Sequence, residues 1–211
     1  MNAAMSASMN AAMRRVSRAD GAALLIALMA MMLMLALGTA LMLTTITETR
    51  IASSYGAGIE MFYAAEAAIE RAMEDLRMIP GWSGLSSSAT MSAFVDGQPG
   101  GARTLADGTT IDLADATDAV RRGDQGGDRS SWRLFAYGAL AGLLPAGRIE
   151  SRAYVVVWVA EAPSPRDAES LALLAHAYGP QGVLRALEVV VTRADLNGSG
   201  GIRVLSWREV P

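Results

Sequence analysis

The 211-residue chain has no cysteine and no lysine, a single histidine, His176, and only three phenylalanines. Without cysteine, disulfides, thiol nucleophiles and thiolate metal sites are all excluded, so packing alone has to hold any exported domain together. Without lysine, a P-loop phosphate site and Schiff-base catalysis are excluded, and the 18 basic residues are all arginine. His176 lies in "LALLAHAY", which reads as a strand, and no G-x-S-x-G elbow exists to present a serine to it. An exported hydrolase therefore has no catalytic constellation to work with, and His176 reads as an ordinary sheet histidine. Acidic excess is slight too: net charge is −3 and the pI is near 5.2, which gives no chain-wide attraction to nucleic acid.

What the chain does have is a long apolar run. In "RRVSRADGAALLIALMAMMLMLALGTALMLTT", residues 14–45, an arginine cluster and a glycine stand directly against it. No charge occurs from Ala22 to Thr47, which as helix spans about 39 Å, enough for a hydrocarbon core of about 30 Å. A secretory signal peptide has a shorter apolar region of about 7–15 residues closed by small residues at its cleavage site. Arg14, Arg15 and Arg18 precede the run and only Arg50 follows closely. The positive-inside bias then leaves the N-terminus cytoplasmic and sends everything after Leu43 across the membrane.

Helical periodicity continues beyond the run. Ile51, Tyr55, Ile59, Phe62, Ile69, Met73 and Leu76 recur at intervals of three, four or seven, with charged residues such as Glu48, Arg50, Glu60, Glu66 and Glu70 between them. Arg71 with Asp75, and Glu74 with Arg77, are spaced to pair on the surface, each pair contributing about 0.2–0.5 kcal/mol. Pro80 and Gly81 end the helix. Gly38, Gly56 and Gly58 interrupt it, each at a cost of about 1 kcal/mol relative to alanine. They mark either close packing between helices or points of flexure.

Gly21, the apolar run from Ala22, and "TTITETRIASSYGAGIEMFYAAEAAIERAMEDL" together resemble the N-terminal region of type IV pilus minor pilins of the PilX kind, with "MFYAAEAAIERA" the most specific part. The resemblance covers about residues 14–80. It implies that a prepilin peptidase cuts between Gly21 and Ala22 and methylates the new amine of Ala22, so the apolar segment serves first as anchor and then as filament core. Residues 1–21 are then a basic leader, and "MRRVSRADG" from Met13 has the expected form of one, which places the true start at Met13 or Met9. Most major pilins carry glutamate at the fifth mature position, where Ile26 stands here, and that departure points to a minor subunit. The implied partners are other pilins and minor pilins, the prepilin peptidase, a tip adhesin, and the inner membrane before assembly. No cofactor, metal or nucleic acid is implied, and the implied role is structural, not enzymatic. The alternative is an uncleaved bitopic membrane protein with an exported binding domain.

Downstream of segments 22–47 and 48–79, residues 80–147 are rich in Gly, Ser, Asp and Thr and read as variable loops with one short strand near Thr109–Leu113. In residues 148–211, "RIESRAYVVVWVAEA" sets Tyr154, Val156 and Trp158 on one face and Val155, Val157 and Val159 on the other, the pattern of a strand covered on both sides. "LALLAHAY", "GPQG" and "VLRALEVVVTR" form a hairpin and "IRVLSWREV" a last strand. Four antiparallel strands with the amphipathic helix segment against one face give an α+β, pilin-like fold whose packing residues are Ile59, Phe62, Ile69 and Met73. Asp195, Asn197, Ser199 and Gly200 imitate half a calcium loop, but Ser206 stands where a bidentate glutamate is required, so this reads as a hairpin turn. The RGD tripeptide at Arg122–Asp124 reads as a solvated loop. Arg121, Arg122, Arg129 and Arg133 are interleaved with Asp118, Asp124 and Asp128, which argues against a nucleic-acid groove.

Overall fold

A computed structural model describes residues 2–123, 132–143, 151–162, 169–196 and 199–210. The chain divides into two compact units, Met1–Ser53 and Ser54–Pro211. Helix α1 (Asn2–Arg77) contributes to both.

In the second unit a five-stranded antiparallel sheet is built from β3 (Arg133–Ala139), β4 (Tyr154–Glu161), β5 (Ser170–Tyr178), β6 (Leu184–Leu196) and β7 (Ser199–Val210), paired in chain order. This is the meander that short connections favour. Separately, β1 (Ala102–Thr104) and β2 (Thr110–Asp112) form a small hairpin, and α2 (Leu113–Arg122) follows directly. The long helix against an antiparallel sheet is the α+β arrangement that the periodicities predict.

One face of the sheet is covered by α1. Met61, Ala64, Ala65, Ala68, Ile69, Ala72, Met73 and Leu76 are buried against Val155, Val157, Val159, Leu171, Leu173, Leu187, Val189 and Val191. The spacing of three and four along the helix meets the alternation of two along the strands. The expected stripe is thus rotated. Ile69 and Met73 are buried, Phe62 is half-buried at the margin, Ile59 is 40% exposed, and Ile51 and Tyr55 face outward. Four alanines carry the contact instead, because small side chains let the helix backbone lie close to the strands. The reading from large residues alone did not mark that face.

The other face carries Tyr154, Val156, Trp158 and Leu174, covered by Leu113 and Val120 of α2 together with Leu105 and Trp132. Both apolar sides of β4 are therefore used, and residues 154–160 are all buried. The expectation of four strands, and of loops with one short strand near Thr109–Leu113 in region 80–147, found β2 but missed β3, β1 and α2. Helix α2 begins where Asp112 Oδ1 accepts the N–H groups of Ala114 (2.8 Å) and Asp115 (3.1 Å), an N-cap. It ends with Arg121 and Arg122 in its last turn, the favourable sign at a helix C-terminus, and Gly123 at φ 44°.

The end of α1 is closed by side chains from far away in sequence. Met78 N–H donates to Asp75 O (3.1 Å) and Ile79 N–H to Leu76 O (3.2 Å), tightening the last turn. The buried Trp82 indole N–H also donates to Leu76 O (3.1 Å), and Arg193 of β6 donates to Ile79 O (3.2 Å). Of the two surface pairs expected on α1, Arg71–Asp75 forms at 2.9 Å; Arg71 also reaches Glu74 at 3.3 Å.

Candidate functional site: the N-terminal helix

In the first unit, residues 21–50 of α1 are exposed along their whole length. Leu24, Ile26, Met29, Leu33, Leu37 and Leu41 each leave more than half of their surface uncovered, with Ile26 at 68%. Among the described residues this is the one helix long and apolar enough to cross a membrane, within Gly21–Arg77. Water is a poor solvent for such a surface, whereas lipid or sister helices are good ones.

From Ala22 to Thr47 the polar side chains are threonines, and each, like Thr49 just beyond, finds an acceptor on its own helix. Thr39 Oγ1 donates to Leu35 O (3.1 Å) and Ala36 O (2.9 Å), Thr44 to Ala40 O (3.0 Å), Thr45 to Leu41 O (3.0 Å), Thr47 to Leu43 O (2.9 Å) and Thr49 to Thr45 O (2.8 Å). Hydroxyls bonded back one turn leave no unmade hydrogen bond in an apolar medium.

Gly21 and Ala22, the predicted processing pair, lie exposed within α1, and a side chain at Gly21 would meet nothing within 4 Å. The same is true of Gly38 and Gly56. Gly58 is different, because a Cβ there would lie 2.9 Å from Nη2 of Arg185 on β6. Gly58 and Arg185 both belong to the second unit. Ile26 stands at the fifth position after Gly21 and offers no charge there.

Arg121, Arg122 and Arg133, singled out in the sequence, bind backbone carbonyls. Arg121 Nε donates to Trp132 O (3.0 Å) and Nη1 lies 3.6 Å from Asp118. Arg122 Nε donates to Asp118 O (3.2 Å). Arg133 binds the carbonyls of Leu85, Leu134 and Thr90, and its burial lowers the pKa of its guanidinium. Asp124, Asp128, Arg129 and Asn197 lie outside the described residues. Ser206 sits on β7, opposite Val190.

A carboxylate cluster that sequence reasoning missed sits beside a cavity of about 320 Å³ lined by Trp82, Ser83, Glu161 and Glu169, among others. Glu169 accepts the N–H groups of Trp82 (3.1 Å) and Ser83 (3.3 Å) and faces Arg193 at 3.7 Å, while Glu161 accepts from Ser86 (3.0 Å). The contacts to Trp82, Ser83 and Ser86 tie the segment after α1 to the sheet, and the Glu169–Arg193 pair anchors the clamp between β5 and β6. Nothing local in the sequence announces it, since Glu169 and Trp82 are 87 positions apart.

His176 packs edge-on to Trp158, with ring centroids 4.8 Å apart, and its Nδ1 lies 3.3 Å from the Tyr178 hydroxyl. Burial pushes the Tyr178 phenol up to about 12. A phenol held above its ordinary pKa of about 10 favours folding fully below that pH, and this contribution is lost as pH rises through about 12. In an alkaline unfolding titration, Tyr178→Phe should flatten the loss of stability over that window and leave neutral-pH stability nearly unchanged.

Comparison with curated proteins and with solved structures gives no match. Residues 20–70 match the family model described as PilX N-terminal. Beginning next to Gly21 and covering both the uncharged helix and its charged continuation, this match shows that the chain carries a PilX-type pilin N-terminal region.

Proposed function

We propose that this protein is a minor pilin, held in the inner membrane by residues 22–47 until it enters a type IV pilus or a related secretion filament, whose assembly it helps to initiate. The observation that carries this reading is the PilX-type match over residues 20–70, set on a helix whose exposed apolar surface starts directly after Gly21. In this reading residues 1–21 are a leader that the prepilin peptidase removes from the cytoplasmic side. Ala22 becomes the methylated N-terminus, residues 48–79 continue the helix into the exported domain, and other pilins, with a tip adhesin, are the partners.

Ile26 sets the stoichiometry. A buried glutamate at that position needs a cationic partner to be tolerated in an apolar core, and a major subunit obtains one from its neighbour's amine. Isoleucine neither needs nor offers that pairing, so this chain adds to a filament by apolar contact and does not build one from copies of itself.

Intact-mass measurement of membrane-extracted protein tests the reading. A chain beginning at Ala22, heavier by one methyl group, is expected, and Gly21→Leu should leave the full precursor in the membrane. A mature chain that retains Arg14–Gly21 would instead support the uncleaved bitopic protein. Quantitative mass spectrometry of sheared filaments tests the minor role: finding this chain as the most abundant subunit would overturn it.

A further inference from the structure

The two edges of the five-stranded sheet are treated differently. At β3 the edge is closed by the chain itself: Ser92 N–H donates to Phe135 O (3.0 Å), Asp96 N–H to Tyr137 O (3.0 Å), and Tyr137 N–H to Phe94 O (3.1 Å). At β7 nothing among the described residues pairs with the outer side of a twelve-residue strand. Its side chains are correspondingly open, with Val204 44%, Leu205 49% and Trp207 39% exposed. A row of unpaired N–H and C=O groups beside exposed apolar side chains is a template for one more strand.

Charge and register say which strand fits. Trp207 and Val204 lie opposite Val189 and Val191 and so share the face covered by α1, whereas Arg203 and Arg208 lie opposite Thr192 and Glu188 on the other face. The ladder shifts between Val190 and Val191, which leaves Leu205 as the extra residue of a bulge and reverses the side-chain phase along β7. Two two-fold registers of β7 with a second copy keep faces matched on both sides of the bulge: one sets Val204 against Trp207 and puts Arg203 against Arg208 at both ends, the other sets Ile202 against Trp207 and puts Arg203 against Ser206, and in neither does Arg203 meet a carboxylate. Like charges directly opposite destabilise a strand pair. Arg208 and Glu209 are already paired within the chain, with Glu188 at 2.9 Å and Arg185 at 3.6 Å, while Arg203 is exposed and makes no ion pair among the described residues.

We propose that β7 is a docking edge for an extended segment of a different protein, one with alternating apolar residues that cover Val204 and Trp207 and a carboxylate that faces Arg203. The proposal is independent of the pilin reading, because it rests on the sheet alone. Backbone pairing supplies the attachment, Arg203 selects an acidic strand, and a second copy of β7, whose Glu209 lies on the opposite face, brings no carboxylate to Arg203.

The test uses the full chain in detergent with two short synthetic peptides of alternating valine and threonine, one carrying a central glutamate and the other a central arginine. Binding is read by fluorescence anisotropy and by hydrogen exchange of the β7 amides. The glutamate peptide should bind and protect β7. Arg203→Glu should weaken it about tenfold and reverse the preference towards the arginine peptide, since attraction becomes repulsion. Val204→Lys, an exposed change that leaves the fold intact, should abolish protection by either peptide. The proposal is overturned if neither peptide protects β7, if Arg203→Glu leaves the preference unchanged, or if the chain forms a dimer that Val204→Lys dissociates.

Discussion

Trp158→Ala is expected to destabilise the unit Ser54–Pro211 by about 3–5 kcal/mol, the range for truncating a fully buried large aromatic side chain. Trp158 has no exposed surface and sits in β4 between β3 and β5, under α2. Its indole N–H donates to Thr117 Oγ1 at 3.0 Å, and its ring meets His176 edge-on. Truncation therefore removes packing from the centre of the face that α2 covers and breaks the hydrogen bond that joins α2 to the sheet. Thr117 keeps a partner, because its hydroxyl donates to Leu113 O at 2.7 Å, so most of the loss is the cavity. Trp158→Phe, which restores part of the volume but not the N–H, should lie between the alanine variant and the unchanged chain. Denaturant unfolding of a fragment beginning at Ser54 measures both, and a loss below about 0.5 kcal/mol, the range of surface changes, would mean that α2 does not cover the sheet.

Ile69→Ala should cost about 2–5 kcal/mol in the same assay, because Ile69 is fully buried in the layer between α1 and the sheet. The informative comparison lies along the same helix. Ile59→Ala, at a residue 40% exposed, and Phe62→Ala, at the half-buried margin, should each cost clearly less than Ile69→Ala, and Ile51→Ala should fall within about 0.5 kcal/mol of no change. This gradient distinguishes the alanine-centred face from the stripe of large residues: equal losses at Ile59 and Ile69 would favour the stripe. The volume vacated by Ile69 is not refilled by rearrangement, since Ala65, Ala68 and Ala72 on the same buried face carry only a methyl group each and cannot reach into the gap.

Legibility in the sequence followed the strength of the local signal. The uncharged run from Ala22 to Thr47 and the twofold alternation of Tyr154–Val159 are periodic over many residues, and both kept their meaning in the structure. Strand β3 was hidden because its seven residues lie in a Gly- and Ser-rich neighbourhood and contain Gly138, whose missing Cβ makes room for the Phe94 ring. Helix α2 did carry a start signal in Asp112 and acidic Asp115, but at ten residues it offers too few turns for its apolar spacing to stand out. The second face of β4 required a cover, and the alternation stated that requirement without naming what meets it. The candidate site was legible in its chemistry, since a long apolar helix after Arg14, Arg15 and Arg18 needs no tertiary information. The clamp of Glu169 on Trp82 and the open edge of β7 depend on contacts between distant residues, which no local pattern encodes.

The threonines of α1 have a consequence for what the helix can exchange. A side chain that relies on solvent or on a neighbouring molecule for its hydrogen bond must surrender that bond whenever its surroundings change, and each orphaned hydroxyl in an apolar medium costs on the order of 1–3 kcal/mol. Thr39, Thr44, Thr45, Thr47 and Thr49 instead carry their acceptors with them, one turn back along the same helix. Lipid could be replaced by protein around this segment without a single hydroxyl changing partner. Towards its environment the segment is apolar around its whole girth, although its composition is not.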